Sequence, residues 1–130
     1  MAEHPNVALI RRGYAAFATG DLATLDDLLA EDLVWHEPGR NLLSGDYRGR
    51  DSVFGLFGKV GEVTQGTFRL EVGEVYADDE HGIAVVTVST TRDGRFVEHT
   101  HANLFRLRDG KVVEYWVVAD DQDAADELIG

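Results

Sequence analysis

The sequence predicts an α+β fold in which helices cover one face of an antiparallel sheet. Three observations carry this reading. Apolar residues recur at three- and four-residue steps through the first sixty positions, runs rich in Val, Thr, Phe and Tyr fill most of the remainder, and Asp-Gly pairs punctuate those runs.

In the first helix Val7, Ile10, Tyr14 and Phe17 form one stripe, which Gly20 stops. Asp21 can cap a second helix whose stripe is Leu22, Leu25, Leu28 and Leu29. A short strand from Leu33 to Glu37 runs into Pro38-Gly39. A polar loop follows, in which Gly45-Asp46-Tyr47-Arg48-Gly49 reads as an ordinary turn, lacking the Lys-Ser/Thr of a phosphate loop. Asp51 can cap a third helix carrying Val53, Phe54, Leu56, Phe57 and Val60. Gly55, Gly58 and Gly61 lie inside it, and an interior glycine costs roughly 1 kcal/mol against alanine. Either another backbone approaches closely there, or the segment is loose enough to be a lid. Strands are expected over 67–77, 83–92, 96–108 and 111–119, with turns at Asp78-Asp79-Glu80, Asp93-Gly94 and Asp109-Gly110. Residues 120–130 read as an acidic tail, solvated or frayed.

The 130 residues make one domain, 1–130. The absence of cysteine excludes disulfides, thiol nucleophiles and Cys-ligated metals. Twelve Lys and Arg against 24 Asp and Glu give a formal charge of −12, a field that repels nucleic acid and anionic membrane. With no apolar run of spanning length and no signal-peptide pattern at the start, a cytoplasmic protein is expected.

If Asp93-Gly94 is a two-residue turn, Arg92 opposes Arg95, Thr90 opposes Val97, Val88 opposes His99, Val86 opposes His101 and Ala84 opposes Asn103. One face then carries Val86, Val88 and Val97 together with His99, His101 and Asn103. Three successive inward polar groups each need a partner, which a cavity holding water or ligand supplies. Asp109-Gly110 is open to two readings. A two-residue turn points Glu114, Trp116, Val118 and Asp120 inward. A type I turn with Gly110 in a left-handed bulge points Tyr115, Val117 and Ala119 inward. The bulge is favoured, because it leaves Trp116 and Val118 with Val85, Ala102 and Leu104 on an apolar outer face that calls for a partner subunit. On the first strand Trp35 and Glu37 share the inward face. A carboxylate ending an apolar face is placed for a raised pKa and proton transfer. His99 and His101 have no third ligand at a recognisable spacing, so no metal is expected.

Ala15-Ala16-Phe17-Ala18-Thr19-Gly20-Asp21, Asp32-Leu33-Val34-Trp35-His36-Glu37-Pro38, Gly45-Asp46-Tyr47-Arg48-Gly49 and the run from Leu104 to Glu114 fall in a known order and spacing. Together they make the chain resemble the nuclear transport factor two-like superfamily, in its SnoaL-like polyketide cyclase and ketosteroid isomerase-like branches. The resemblance implies a cone-shaped, curved, mixed or antiparallel sheet wrapped around three N-terminal helices, with one deep apolar pocket, usually in a homodimer. It puts Glu37 where the isomerases keep their proton-shuttling carboxylate. Asn103 stands where they keep an oxyanion-donating Asp and where the cyclases keep a His. The isomerases' helical tyrosine aligns with Gly13, next to Tyr14; Phe57 replaces their supporting tyrosine, and Val117 the cyclases' acid/base Asp.

These readings suggest general acid/base chemistry, without cofactor, on a small apolar or aromatic carbonyl compound: isomerisation, cyclisation or dehydration. Glu37 takes the proton, Asn103 holds the developing oxyanion, and His99 or His101 is a second donor. Tyr14, Phe17, Trp35, Phe54, Phe57, Val86, Val88, Tyr115 and Val117 form the walls. The alternatives are a non-catalytic ligand-binding or dimerisation module, and a water-activating hydrolase of the epoxide hydrolase type.

Overall fold

The computed structural model describes residues 3–129. The chain runs α1 (Pro5–Thr19), α2 (Leu22–Leu28), β1 (Leu29–Glu37), β2 (Gly45–Arg48), α3 (Arg50–Val63), β3 (Arg69–Ala77), β4 (His81–Arg92), β5 (Arg95–Arg108), β6 (Lys111–Ala119) and α4 (Gln122–Ile129). The strands form one curved, unclosed sheet in the order β2-β1-β6-β5-β4-β3. β1 is parallel to β6 and every other neighbouring pair is antiparallel. The helices fill its concave side, as the α+β reading requires.

Local chemistry sets most of the boundaries. Pro5 opens α1, where a missing N–H removes no helical bond, and Gly20 ends it at φ 70°. Asp21 caps α2 by accepting from the Thr24 amide at 3.1 Å. Leu29 belongs to β1, four residues ahead of the expected strand start. β2 replaces the expected turn: Val34 pairs with Arg48 and Glu37 with Gly45. Before α3, Gly49 (φ 84°) occupies the cap position without a side-chain cap, and Asp51 lies in the first turn, where its charge favours the helix dipole. A Cβ on Gly55, Gly58 or Gly61 would meet nothing within 4 Å, so close backbone approach is not their role.

The β4–β5 hairpin has the expected pairing from Arg92↔Arg95 through Ala84↔Asn103. Asp93 (φ 53°) and Gly94 (φ 79°) are both left-handed, the turn whose twist matches the flanking strands. At the β5–β6 turn the inward set is Tyr115, Val117 and Ala119, but the device differs from the one favoured on the sequence. Arg108 pairs with Lys111 across left-handed Asp109 and Gly110, a two-residue turn. The extra residue enters further along, where Leu107↔Val112 is followed by Arg106↔Glu114. One inserted residue reverses which side chains face the core, and Val112 and Val113 are both buried.

The acidic terminal segment is helical rather than frayed. Asp121 accepts from the Ala124 amide at 3.0 Å, and Ile129 at its far end is 8 % exposed. Buried Ile10, Leu33, Val53, Leu56 and Leu107 join helices to sheet, each contributing roughly 1.5–3 kcal/mol by leaving water. Among the described residues no helix is long and apolar enough to cross a membrane.

Candidate functional site

A cavity of about 170 Å³ lies between the concave sheet face, helices α1 to α3 and the covering helix α4. An apolar cavity of roughly 150 Å³ accepts benzene, so this one suits a substituted aromatic ring. Glu37, His99, His101 and Asn103 all line it. Glu37 is the last residue of β1, and two-residue alternation sets it on the face of Leu33 and Trp35. The Trp35 indole N–H donates to Glu37 Oε1 at 2.7 Å. Loss of water around the carboxyl pushes its pKa up to about 7, with the indole bond pulling the other way. At neutral pH both protonation states are populated, as a group that takes and returns a proton requires.

On a neighbouring wall Asn103 Nδ2 donates to Tyr14 Oη at 2.9 Å, and Tyr14 Oη lies 3.2 Å from Tyr115 Oη. The cluster joins α1, β5 and β6, and the inserted residue in β6 is what turns Tyr115 toward it. Burial pushes Tyr14 up to about 12 and Tyr115 well above the ordinary phenol range, so both remain protonated donors. The alignment of the isomerases' tyrosine with Gly13 does not deprive the site of a phenol. Tyr14 brings its hydroxyl to Asn103, and Gly13 lines the same cavity.

His99 and His101 lie with ring centroids 6.3 Å apart. His99 Nδ1 is 3.6 Å from Asp120 Oδ1, an ion-pair separation longer than a hydrogen bond. Burial, then the neighbouring His99, lowers the His101 pKa, keeping that ring neutral. His99 Nε2, His101 Nε2 and Asn103 Oδ1 are buried with no hydrogen-bond partner among the described residues.

Phe17, Trp35 and Phe57 form an aromatic wall in which Trp35 stacks on Tyr115 at 3.7 Å and meets Phe57 edge-on at 5.2 Å. Val88 and Val117 also line the cavity. Phe54 and Val86 do not. Phe54 faces a neighbouring groove beside Gly58 and Gly61 on α3. Val86, 1 % exposed, is in the packed core. No cluster of three or more His, Cys, Asp or Glu that could hold a metal occurs among the described residues.

Residues 10–115 match the SnoaL-like domain. The chain belongs to the SnoaL-like family. An uncharacterised protein of Mycobacterium tuberculosis, Rv0034, is 32 % identical over 113 residues, 86 % of each chain. Among solved structures, Bal32a from a soil-derived mobile gene cassette shares 35 % identity and a TM-score of 0.91, covering 96 % of both chains. IdmH of Streptomyces antibioticus, a candidate polyketide cyclase, shares 26 % identity and a TM-score of 0.76, covering 95 % of this chain and 99 % of its own.

In this SnoaL-like domain one side of the cavity is built by residues the sequence reading passed over. Gln122, Ala125 and Ile129 of α4 line it, with Asn41 and Leu43 from the β1–β2 loop. Asp126 Oδ1 accepts from Asn41 Nδ2 at 2.7 Å and from Gln122 Nε2 at 2.9 Å, fastening helix to loop. A signal was present: 122, 125 and 129 share one helical face, and Asp121 stands at the cap position. The acidity of the segment masked it.

Proposed function

We propose that this SnoaL-like domain is a cofactor-independent acid/base enzyme moving a proton at the carbon beside the carbonyl of a small, largely apolar or aromatic compound, as in isomerisation, cyclisation or dehydration. The observation that carries the reading is a carboxyl with its pKa raised to about 7 in the same cavity as paired, protonated phenols. Glu37 takes the proton from carbon and returns it. A phenolic O–H of the Tyr14–Tyr115 pair donates to the carbonyl oxygen as charge develops there. Asn103, with one Nδ2 hydrogen given to Tyr14, holds that phenol in place. His99 or His101 serves as a second hydrogen-bond donor through a ring N–H. A positioned base contributes about 10²–10⁴-fold and an oxyanion donor about 10²–10³-fold. The likeness to IdmH agrees with carbonyl chemistry of this kind.

The test is solvent-deuterium exchange alpha to the carbonyl of phenylacetone, followed by proton NMR. Protein-dependent exchange that Glu37→Gln abolishes supports the reading. Binding without exchange favours the second reading, a non-catalytic pocket, for which the Trp35 bond to Glu37 speaks. The proposal extends to assembly. Ile83, Val85 and Val118 are exposed on the outer sheet face with Ala102, Leu104 and Trp116, and a second copy of the chain covers that face.

A further inference from the structure

The Tyr14–Asn103–Tyr115 cluster can be followed hydrogen by hydrogen. Two phenols bring two hydroxyl hydrogens, and the bond between them at 3.2 Å uses one. The second has no acceptor among the described residues. Of the two Asn103 Nδ2 hydrogens, one goes to Tyr14 Oη at 2.9 Å and the Asn103 side chain also hydrogen-bonds Tyr115, so the amide nitrogen is engaged on the phenol side. Asn103 Oδ1 has no donor among the described residues, although Asn103 is only 1 % exposed. Amide oxygens buried to this degree are almost always satisfied. An open donor and an open acceptor therefore stand side by side in one wall of the cavity, joined by the Asn103–Tyr14 bond.

We propose that the occupant carries the matching pair: a carbonyl oxygen that accepts from the phenol and, adjacent to it, an O–H or N–H that donates to Asn103 Oδ1. The chemical class is an enolised β-dicarbonyl, a hydroxyl-bearing carbonyl or a carboxamide, on a body about one aromatic ring in size. A plain ketone fills only half of the site and leaves Asn103 Oδ1 buried without a donor, the arrangement by which polar sites reject analogues lacking a hydroxyl or amino group. Asn103 thereby determines specificity, by an oxygen that takes no part in the proton transfer. The inference rests on reading the cavity as the site of a carbonyl compound.

Calorimetric titration with three probes of similar shape tests it: benzamide, acetophenone and cumene. Benzamide has the donor beside the carbonyl, acetophenone replaces its amino group by methyl, and cumene has neither. The expected result is tighter binding of benzamide than of acetophenone, on the order of tenfold. That advantage is lost in Asn103→Leu, whose fold is checked by circular dichroism. Equal binding of benzamide and acetophenone overturns the donor requirement and leaves the carbonyl reading standing. Binding of none of the three overturns both. The wild-type series decides the matter by itself if the variant fails to fold.

Discussion

A carboxyl that keeps its proton up to about pH 7 when folded, against 4.5 as its ordinary value, opposes folding wherever it must ionise. The folded state then binds more protons than the unfolded one, so the penalty is absent below about pH 4.5, grows as pH rises and is complete above about pH 7. Its ceiling is about 3 kcal/mol, reduced by whatever water reaches this half-buried residue. Glu37→Gln is therefore expected to stabilise the protein in urea unfolding at about pH 8 and to leave it unchanged at about pH 4. On the proposed reaction the same substitution removes the base, so stability and turnover are expected to move in opposite directions at one position. Sequence alternation brought Glu37, His99, His101 and Asn103 to light, because period two fixes which side chains share a face. It could not show that one Asn103 amide hydrogen goes to a tyrosine on a helix 89 positions earlier, a contact that exists only after packing.

Elements were legible where backbone preference and side-chain pattern agree. Asp93-Gly94 encodes its turn directly, since both residues must be left-handed and Asp and Gly tolerate that. β2 was not legible, because four residues at the sheet edge with a polar sequence carry no apolar alternation. Helix α4 was obscured by charge, and its docking depends on a residue from another element. Gly39 has φ 87°, and a Cβ there would collide with Asp126 Oδ1 and Gln122 Nε2. Gly39→Ala is expected to cost about 1–3 kcal/mol in backbone strain and to push aside the Gln122 and Asp126 side chains that fasten α4 to the loop. Hydrogen exchange over 122–129 should quicken while β4 and β5 stay protected. Unchanged protection of α4 would mean that the helix is held mainly by its other end, where an Arg92 guanidinium donates to the Ile129 carbonyl.

At the scale of the whole molecule the sheet divides two tasks between its faces. The concave face encloses the cavity. The convex face leaves Val118 49 % and Ile83 43 % exposed beside Val85, the patch to which the proposed self-association is assigned. His36 also points that way, stacked on Trp116 and held between Asp46 and Glu114 at 2.7 and 2.6 Å. Burial works against its charge, but the two carboxylates outweigh that and raise its pKa. Sedimentation at micromolar concentration is expected to give a dimer for the wild type and a monomer for Val118→Glu, with the circular dichroism unchanged. A monomeric wild type would remove the self-association reading without touching the function proposed for the cavity.

The residue inserted near Val113 gives β6 something like a reading frame. Positions 115, 117 and 119 face the cavity, while 116 and 118 face the outside. Changes to the cavity lining and to the outer surface can accumulate on alternating letters of one nine-residue word. Closing the bulge with every residue retained would exchange the two messages, turning an indole and a carboxylate into the hollow and a phenol out to solvent, whereas deleting Val113 would leave positions 114–119 facing as they do.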